Sequence, residues 1–238
     1  GIMLGVAILI IVMSVMNGFR SDLTEKIIGL NPHLILQSDN KIDLTSTKKI
    51  LSVKYKDINI TEAISGEGII LTNNKAKGII IKGIKEKDKF QSFINKEITK
   101  GNLKDFASGS VMIGGELAYN LNLELGEKIN IVSSSFIDTP FGSIPKQDSF
   151  KIAGFFNSGF YEFDQNLIYL ELNDSRSIFD LEEGKVDLEV FLKDPFLAEK
   201  YKEEINKLNQ NIFISTWSDN NKSFFSALKV ERNVMFII

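Results

Sequence analysis

Few residues in this chain have types and positions suited to catalysis. His33 is the only histidine, and the 238 residues include no cysteine. Cysteine nucleophiles and thiolate metal sites are therefore excluded, and a serine–histidine triad would have to use His33. Because this histidine follows Pro32 at a predicted helix end, a capping or surface role is favoured over catalysis.

Pairs of carboxylates and one pair of glycines are the remaining candidates for chemistry. Glu182-Glu183, Glu203-Glu204 and Asp187/Glu189 resemble the paired acids of ordinary solvated faces. Gly114-Gly115 precedes a predicted helix but lacks the lysine of a phosphate-binding loop and the three-glycine dinucleotide spacing, so a tight turn is favoured. No histidine or carboxylate cluster has the spacing of metal ligands. The sequence therefore predicts no catalytic residues, no metal site and no cofactor in this chain.

The most unusual stretch lies between two predicted strands that end near Ser133 and start near Phe150. Hairpin connections normally contain about two to five residues, mostly polar, whereas this one is long and apolar. Its prolines fix the backbone and Gly142 permits a sharp tip, so it is stiff enough to present an aromatic anchor. Two interpretations stay open, namely a projecting protein-binding loop or a loop whose Phe141 and Ile144 fold back onto the sheet. Its apolar and proline residues are Phe136, Ile137, Pro140, Phe141, Ile144 and Pro145.

The first segment, Gly1–Met16, is uncharged and almost wholly apolar, which is typical of a membrane helix. It is shorter than the roughly 20 residues of a full span, and we expect the missing part of the helix to lie upstream. Further along, Phe19, Leu23 and Ile27 recur at helical spacing, which predicts that the helix continues as a stalk. Pro32 predicts where this helix ends.

The other end of the chain repeats this pattern. Val234–Ile238 is a short apolar run that the chain end truncates, and the start of a second membrane helix is favoured over a buried strand. Two spans would place both connections of the intervening domain on one face of the membrane. The sequence thus predicts a large loop domain of a multi-span membrane protein.

Composition and periodicity predict an α+β fold for this domain. The chain is 43% hydrophobic and 25% charged, so it can bury a core, and its net charge of −3 argues against nucleic acid as the main partner. A helix near 43–55 is followed by a predicted strand at 58–63, and 68–72 and 78–84 form a predicted antiparallel hairpin.

Further helices are predicted along the chain. A short helix is expected near 90–95, and Asn173 is a candidate cap for another. After Pro195, apolar residues recur at helical spacing, which predicts a longer helix that packs on a sheet; they are Leu197, Tyr201, Ile205 and Leu208.

We expect five segments along the chain. They are the end of the first transmembrane helix at 1–18, the stalk and first part of an α+β subdomain at 19–109, a β-rich subdomain with the apolar loop at 110–156, the second part of the α+β subdomain at 157–229, and the start of the second transmembrane helix at 230–238.

Three short strings carry a family resemblance. They are Ser14–Arg20 (SVMNGFR), Ser158–Asp164 (SGFYEFD) and Leu228–Phe236 (LKVERNVMF). In this order and spacing they resemble the LolC/LolE-type lipoprotein-releasing permeases, which belong to the wider MacB-like group of ABC transporter permeases. The resemblance implies a periplasmic domain of two subdomains, one mixed α+β and porter-like and one β-rich and sabre-like, between two transmembrane helices of the bacterial inner membrane.

The resemblance also implies roles for the apolar loop and its surroundings. Thr139-Pro140-Phe141-Gly142-Ser143-Ile144-Pro145 resembles the hook of the LolC-type permeases, which engages a LolA-like periplasmic lipoprotein carrier. The family also uses a polar pad beside the hook that includes arginines. The matching positions here are Asn130, Gln147 and Asp148, of which only the glutamine agrees with the family pattern.

As the resemblance implies, the chain is a non-enzymatic permease subunit that extracts lipoproteins from the inner membrane and passes them to the carrier. ATP and Mg would bind a separate LolD-like ATPase subunit, because this chain has no Walker motif. The second permease subunit would be a sibling or a second copy of this chain. Phe19, Leu23 and Ile27 would pack against that partner, line the lipoprotein path, or pack on the chain's own domain. The alternatives are a MacB-like efflux or mechanotransmission permease and a membrane-tethered periplasmic sensor or scaffold.

Overall fold

A computed structural model describes residues 2–72, 75–85, 88, 97–140, 142–222, 226 and 230. Its helices are α1 Ile2–Leu30, α2 Lys41–Lys54, α3 Gly115–Leu121, α4 Tyr161–Asp164, α5 Leu172–Ile178, α6 Ala198–Leu208 and α7 Trp217–Asn220, with short 3₁₀ turns at Leu103–Asp105 and Pro195–Leu197. Its strands are β1 Leu34–Gln37, β2 Asn59–Leu71, β3 Ala76–Ile84, β4 Ile98–Gly101, β5 Ser110–Gly114, β6 Lys128–Thr139, β7 Gly142–Phe156, β8 Leu167–Glu171, β9 Asp187–Phe191 and β10 Phe213–Thr216.

The chain begins with one uninterrupted helix, α1, which ends at Leu30 just before Asn31 and Pro32. The prediction of a single continuous helix that stops at the proline is confirmed. Within the described residues, no helix is both long enough and apolar enough to cross a lipid bilayer, so the structure does not show the span predicted at 1–18. Of the second predicted span only Val230 is described.

The strands form one mixed, mostly antiparallel sheet in the order β10-β1-β9-β2-β3-β8-β5-β7-β4. The parallel pairs are β3 with β8 and β5 with β7. β6 lies off this path and pairs with both β2 and β7. Since β2 and β7 are already joined through β3, β8 and β5, this double pairing closes six strands into a barrel. The remainder of the sheet stays open, and the α+β prediction is confirmed.

The hydrophobic core follows this division into a barrel and an open sheet. The barrel core combines side chains from all six closed strands with α3 and α5, whereas a second core lies between β1, β9, β10 and the helices α2 and α6. A third cluster covers the outside of β5, β7 and β8. β2, β3 and β8 thus share the barrel core with β5–β7, and this core crosses the boundaries predicted at 110 and 156.

Glycines on two barrel strands leave room for α5 and the residue after it. A Cβ on Gly66 would lie 2.5 Å from the Phe179 ring, and one on Gly83 would lie 2.5 Å from the Ser175 Cβ. Any larger residue would therefore push α5 away from the barrel.

Several local predictions were wrong in ways that have physical causes. The strands predicted at 58–63 and 68–72 are one continuous strand, β2, because it changes partners from β9 to β3 without a turn. α2 is capped by the Asn40 side chain rather than near Asp43, and α5 by Glu171 rather than Asn173. β4 was not predicted, and the short helix predicted near 90–95 lies outside the described residues.

The Gly114-Gly115 pair forms the tight strand-to-helix step that was predicted. A Cβ on Gly114 would lie 2.1 Å from the backbone oxygen of Asp164, whereas one on Gly115 would lie 3.3 Å from the nearest atom, the oxygen of Phe156. Backbone moves aside less readily than the end of a flexible side chain, so any side chain at the first position strains the packing against Asp164.

We expect Gly114→Ala to lower the free energy of unfolding by about 1–3 kcal/mol, because the α4 backbone must shift to admit the methyl group. Gly115→Ala is the matched control, and we expect a change of less than about 1 kcal/mol because alanine favours the helix it enters. Urea unfolding followed by circular dichroism measures both. Equal effects of the two substitutions would contradict this account of the close approach.

Candidate functional site

The apolar segment predicted as a long loop is a two-stranded extension of β6 and β7. The pairs Phe136–Pro145, Ile137–Ile144, Asp138–Ser143 and Thr139–Gly142 continue the ladder up to a two-residue turn. We call residues 134–147 the arm. At about 3.4 Å per residue the arm is about 20 Å long. The loop prediction was wrong because proline normally argues against a strand.

Proline is tolerated here because the ladder is irregular and the ribbon has no further partner strands in the described structure. The register shifts between Val132 and Phe136, so that β6 contains two more residues than β7 over this interval. Pro145 lies directly after this irregularity, where the lack of a backbone N–H is least costly.

The tip of the arm is a tight turn between Thr139 and Gly142. Pro140 follows Thr139 at the turn position that its fixed φ suits, and Gly142 has φ of 122°, which glycine adopts without strain. The Thr139 hydroxyl donates to the Gly142 carbonyl at 2.6 Å, which closes the turn from the side. Phe141, the predicted anchor, lies outside the described residues.

The root of the arm is fastened to the connection that follows α5. The Ser133 hydroxyl donates to the Ile178 carbonyl at 2.6 Å, and the Ser135 hydroxyl donates to the Phe179 carbonyl at 2.7 Å. Lys146 forms an ion pair with Asp180 at 2.7 Å. The arm is thus held at its root by contacts from both of its strands.

Apolar side chains lie exposed on both faces of the arm. Phe136 is 61% exposed, and Ile137 and Ile144, which pair on the opposite face, are 41% and 53% exposed. The alternative in which Ile144 folds back onto the sheet as a small core is therefore wrong. For Phe141 both alternatives stay open.

Two of the three pad residues share a face with Phe136. Asn130 and Gln147 lie on the outer face of the β6–β7 pair, where the Ser149 hydroxyl also hydrogen-bonds to Asn130. Gln147 is two residues from Pro145 on β7, so the pad and the Phe136 side of the arm form one continuous face. Asp148 belongs to the opposite face.

This outer face continues onto β2, which sequence reasoning missed. Ile69 pairs with Val132 and Leu71 pairs with Asn130, and their side chains are 44% and 40% exposed. Ile80 on the neighbouring strand is exposed as well. A signal was present in the three consecutive apolar residues at 69–71, which make both faces of this strand apolar, but nothing local reveals that β6 pairs with it.

A comparison with protein families identifies the domain. The model of the MacB-like periplasmic core domain matches residues 1–208. The chain belongs to this family.

Relatives of known name agree with the resemblance found in the sequence. The chain is 28% identical over 247 residues to the lipoprotein-releasing system transmembrane protein LolC of Neisseria meningitidis serogroup B, covering 100% of this chain and 59% of that protein. It is 29% identical over 242 residues to LolC of Buchnera aphidicola subsp. Acyrthosiphon pisum, again covering 100% of this chain and 59% of that protein. The resemblance to LolC/LolE-type permeases is confirmed, and the chain spans 59% of the length of these relatives.

A solved structure with a similar fold is the periplasmic region of MacB from Actinobacillus actinomycetemcomitans. The TM-score is 0.50 at 17% identity, and the match covers 84% of this chain and 95% of that one. This likeness concerns the fold alone.

The stalk residues predicted to face a partner lie on α1 of this MacB-like domain. Phe19, Leu23 and Ile27 fall within the helix, but the placement of their side chains lies outside what the structure describes. Ile28, one residue further on, packs against the core of the open sheet. The role proposed for the apolar stalk face stays a prediction.

The carboxylate pair Asp187/Glu189 is not a solvated face, contrary to the prediction. Glu189 is buried and forms an ion pair of 2.9 Å with Lys82, whose pKa is raised by that carboxylate although burial opposes the charge. Asp187 accepts a hydrogen bond of 2.9 Å from the Gln37 side chain. Burial raises the pKa of Asp187, and the nearby Glu189 charge adds to the effect. No metal-binding group of three or more histidines or carboxylates lies in the described part of the chain.

The raised pKa of Asp187 has a consequence for stability. A carboxyl whose pKa is higher in the folded state stabilises the fold below its unfolded pKa, and this contribution is lost as the pH rises through the folded pKa. We therefore expect Asp187→Asn, which still accepts from Gln37, to be more stable than the wild type at pH 7 but not at pH 3.5. Urea midpoints at both pH values measure this, with the exposed Asp39→Asn as control. A stability gain of equal size at both pH values would contradict the assignment.

Proposed function

We propose that the full-length protein is the permease subunit of an ABC transporter that extracts lipoproteins from the inner membrane and hands them to a periplasmic carrier. The observation that carries the proposal is the arm, a braced ribbon with exposed apolar side chains at the positions that resemble the hook. The similarity to proteins named LolC supports the same conclusion.

The physical properties of the arm suit docking to another protein. Its backbone is fixed by the ladder and by Pro140 and Pro145, so little conformational entropy is lost on binding. Exposed apolar residues near the end of a rigid element are typical binding anchors. Among the described residues, the arm pairs with no strand beyond its own two, so a carrier with its own sheet edge can add backbone hydrogen bonds along the arm.

The pad makes a smaller contribution in this proposal. Asn130 and Gln147 supply neutral polar groups on the Phe136 face of the arm, and the family's arginines are absent at these positions. Without those charges, electrostatic steering toward the carrier is weak, and the affinity depends mainly on the apolar contacts.

The remaining parts of the assembly follow from the same proposal. ATP hydrolysis, with its Mg, belongs to a LolD-like ATPase subunit, and the second permease position is taken by a sibling or by a second copy of this chain. The chain is anchored in the inner membrane with its large domain in the periplasm, and α1 links the two. The stalk face with Phe19, Leu23 and Ile27 contacts the partner permease or the lipoprotein. No nucleic acid takes part.

We expect the double variant Pro140→Ala/Phe141→Ala to weaken carrier binding by about tenfold or more, since hot-spot side chains dominate such interfaces. The full-length transporter is used to capture a LolA-like carrier, and lipoprotein release from membranes is measured alongside. Wild-type carrier binding and release in this variant would refute the role of the tip.

Two matched substitutions test whether the carrier docks on the Phe136 face of the arm. Phe136→Ala changes that face, and Phe213→Ala changes an exposed phenylalanine elsewhere. Both phenylalanines are similarly exposed, at 61% and 68%, but Phe213 lies on β10 at the open edge of the sheet. We expect only the Phe136 substitution to weaken carrier binding. Equal losses would point to a nonspecific effect and would contradict docking through this face.

A further inference from the structure

The outside of the barrel carries apolar side chains that no other part of the described structure covers. The outer sides of β5, β7 and β8 are packed in the third core cluster. On β2 and β3, by contrast, Ile69, Leu71 and Ile80 point outward and are 44%, 40% and 49% exposed. We call these three residues, together with Ala76 and Gly78 of β3, the barrel patch.

The strand register joins the barrel patch directly to the pad. Gln147 pairs with Val132, which pairs with Ile69, and Ile69 pairs in turn with Gly78. Because directly paired residues share one face of a sheet, this row lies on the face that carries Phe136 of the arm. The neighbouring row runs through Asn130, Leu71 and Ala76.

The barrel patch has a low point at Gly78. This residue lies in the extended backbone of β3, and a Cβ built on it would meet no atom within 4 Å in the described structure. Ile69 is its partner on β2, and Ile80 is the next residue on the same face of β3. The two isoleucines therefore flank a position without a side chain, which leaves room for a group from outside.

The charges on this face lie at the border of the barrel patch. Its five residues are uncharged, and Glu67, which pairs with Ile80, borders it at one end. The pad borders it on the β6 side with neutral polar groups. An apolar centre with a polar rim is the usual composition of a protein–protein interface, and contiguous exposed apolar residues mark such sites.

We propose that the barrel patch is a second docking surface for the carrier that engages the arm, and that it takes an uncharged apolar surface of that carrier. This inference rests on the proposed function, because the arm decides which partner is held over the patch. The arm, the pad and the patch form one face built on β2, β3, β6 and β7. Since all three belong to the same paired strands, the second contact costs little additional conformational entropy.

Gly78 offers the most direct test, because a side chain can be added there without displacing the described protein. The full-length permease assembled with its ATPase is titrated with a purified LolA-like carrier, and the dissociation constant is measured. We expect Gly78→Arg to weaken binding about tenfold, since a long charged side chain occupies the centre of the apolar contact. Gly78→Ala is the matched control, and we expect a change of less than about twofold.

A second pair of variants removes apolar contact instead of adding bulk. We expect Ile69→Thr/Leu71→Thr to weaken carrier binding about fivefold, because threonine keeps the strand propensity but shortens the apolar side chain. Leu125→Thr is the matched control, since Leu125 is 51% exposed and lies in the connection between α3 and β6. We expect it to bind the carrier as the wild type does.

A photoreactive amino acid in place of Ile80 identifies what covers the barrel patch. We expect crosslinks to the carrier. Crosslinks to a second permease copy or to the lipoprotein alone would overturn the inference, and so would wild-type carrier affinity in both Gly78→Arg and Ile69→Thr/Leu71→Thr. If Phe136→Ala still weakens carrier binding in that case, the proposed function stands and only the second surface is refuted. Absence of carrier binding by the wild type would overturn the proposed function itself.

Discussion

The double pairing of β6 is the interaction on which the barrel and the arm depend. Because β6 bonds to β2 on one side and to β7 on the other, six strands close into a barrel and lose their free edges. The same register decides which side chains point inward, with Ile129 and Ile131 in the core and Asn130 and Val132 outside. Where the pairing with β2 ends at Ser133, β6 and β7 leave the barrel as the arm. The direction and rigidity of the arm are thus set by the barrel beneath it.

The open sheet and the barrel are joined by a shared strand and a buried ion pair. β2 pairs with β9 over its first residues and with β3 and β6 over its last. Lys82 on β3, whose side chain is 14% exposed, pairs across β2 with the buried Glu189 on β9. A buried pair of this kind is costly to break, since separation leaves a charge without a partner in a region of low dielectric constant. The two parts of the domain therefore resist sliding or twisting against each other.

Elements with strong local signals could be predicted from the sequence. Tyr201 and Ile205 at helical spacing after Pro195 predicted α6, and the continuous apolar run at the start predicted α1. Contacts between segments that are distant in the chain could not be predicted from the sequence. The parallel pairing of β8 with β3 and the closure of β6 onto β2 depend on loop entropy and packing over the whole chain, and no local pattern encodes them.

The candidate site shows the same limit. The composition of residues 134–148 indicated a special segment, but proline concealed that it continues β6 and β7. Alternation along a strand predicts faces only when the register is known, so the separation of Asp148 from Asn130 and Gln147 was not accessible. Burial of the Asp187/Glu189 pair was missed for a related reason, because the partner cation Lys82 is about a hundred residues away in the chain.

A continuous series of contacts between α1 and the arm can be followed through the described residues. α1 ends at Leu30, and His33 shortly after it donates its backbone N–H to the Val190 carbonyl of β9; β9 pairs with β2, which in turn pairs with β6. Every step after α1 is a ladder of backbone hydrogen bonds, and such ladders transmit displacement because their registers cannot shift by less than a whole residue pair. Because the arm is a paired ribbon that continues two barrel strands, its backbone is already ordered before a partner binds. The arm therefore combines exposed apolar side chains with a fixed root, which are the two properties that the proposed docking role requires.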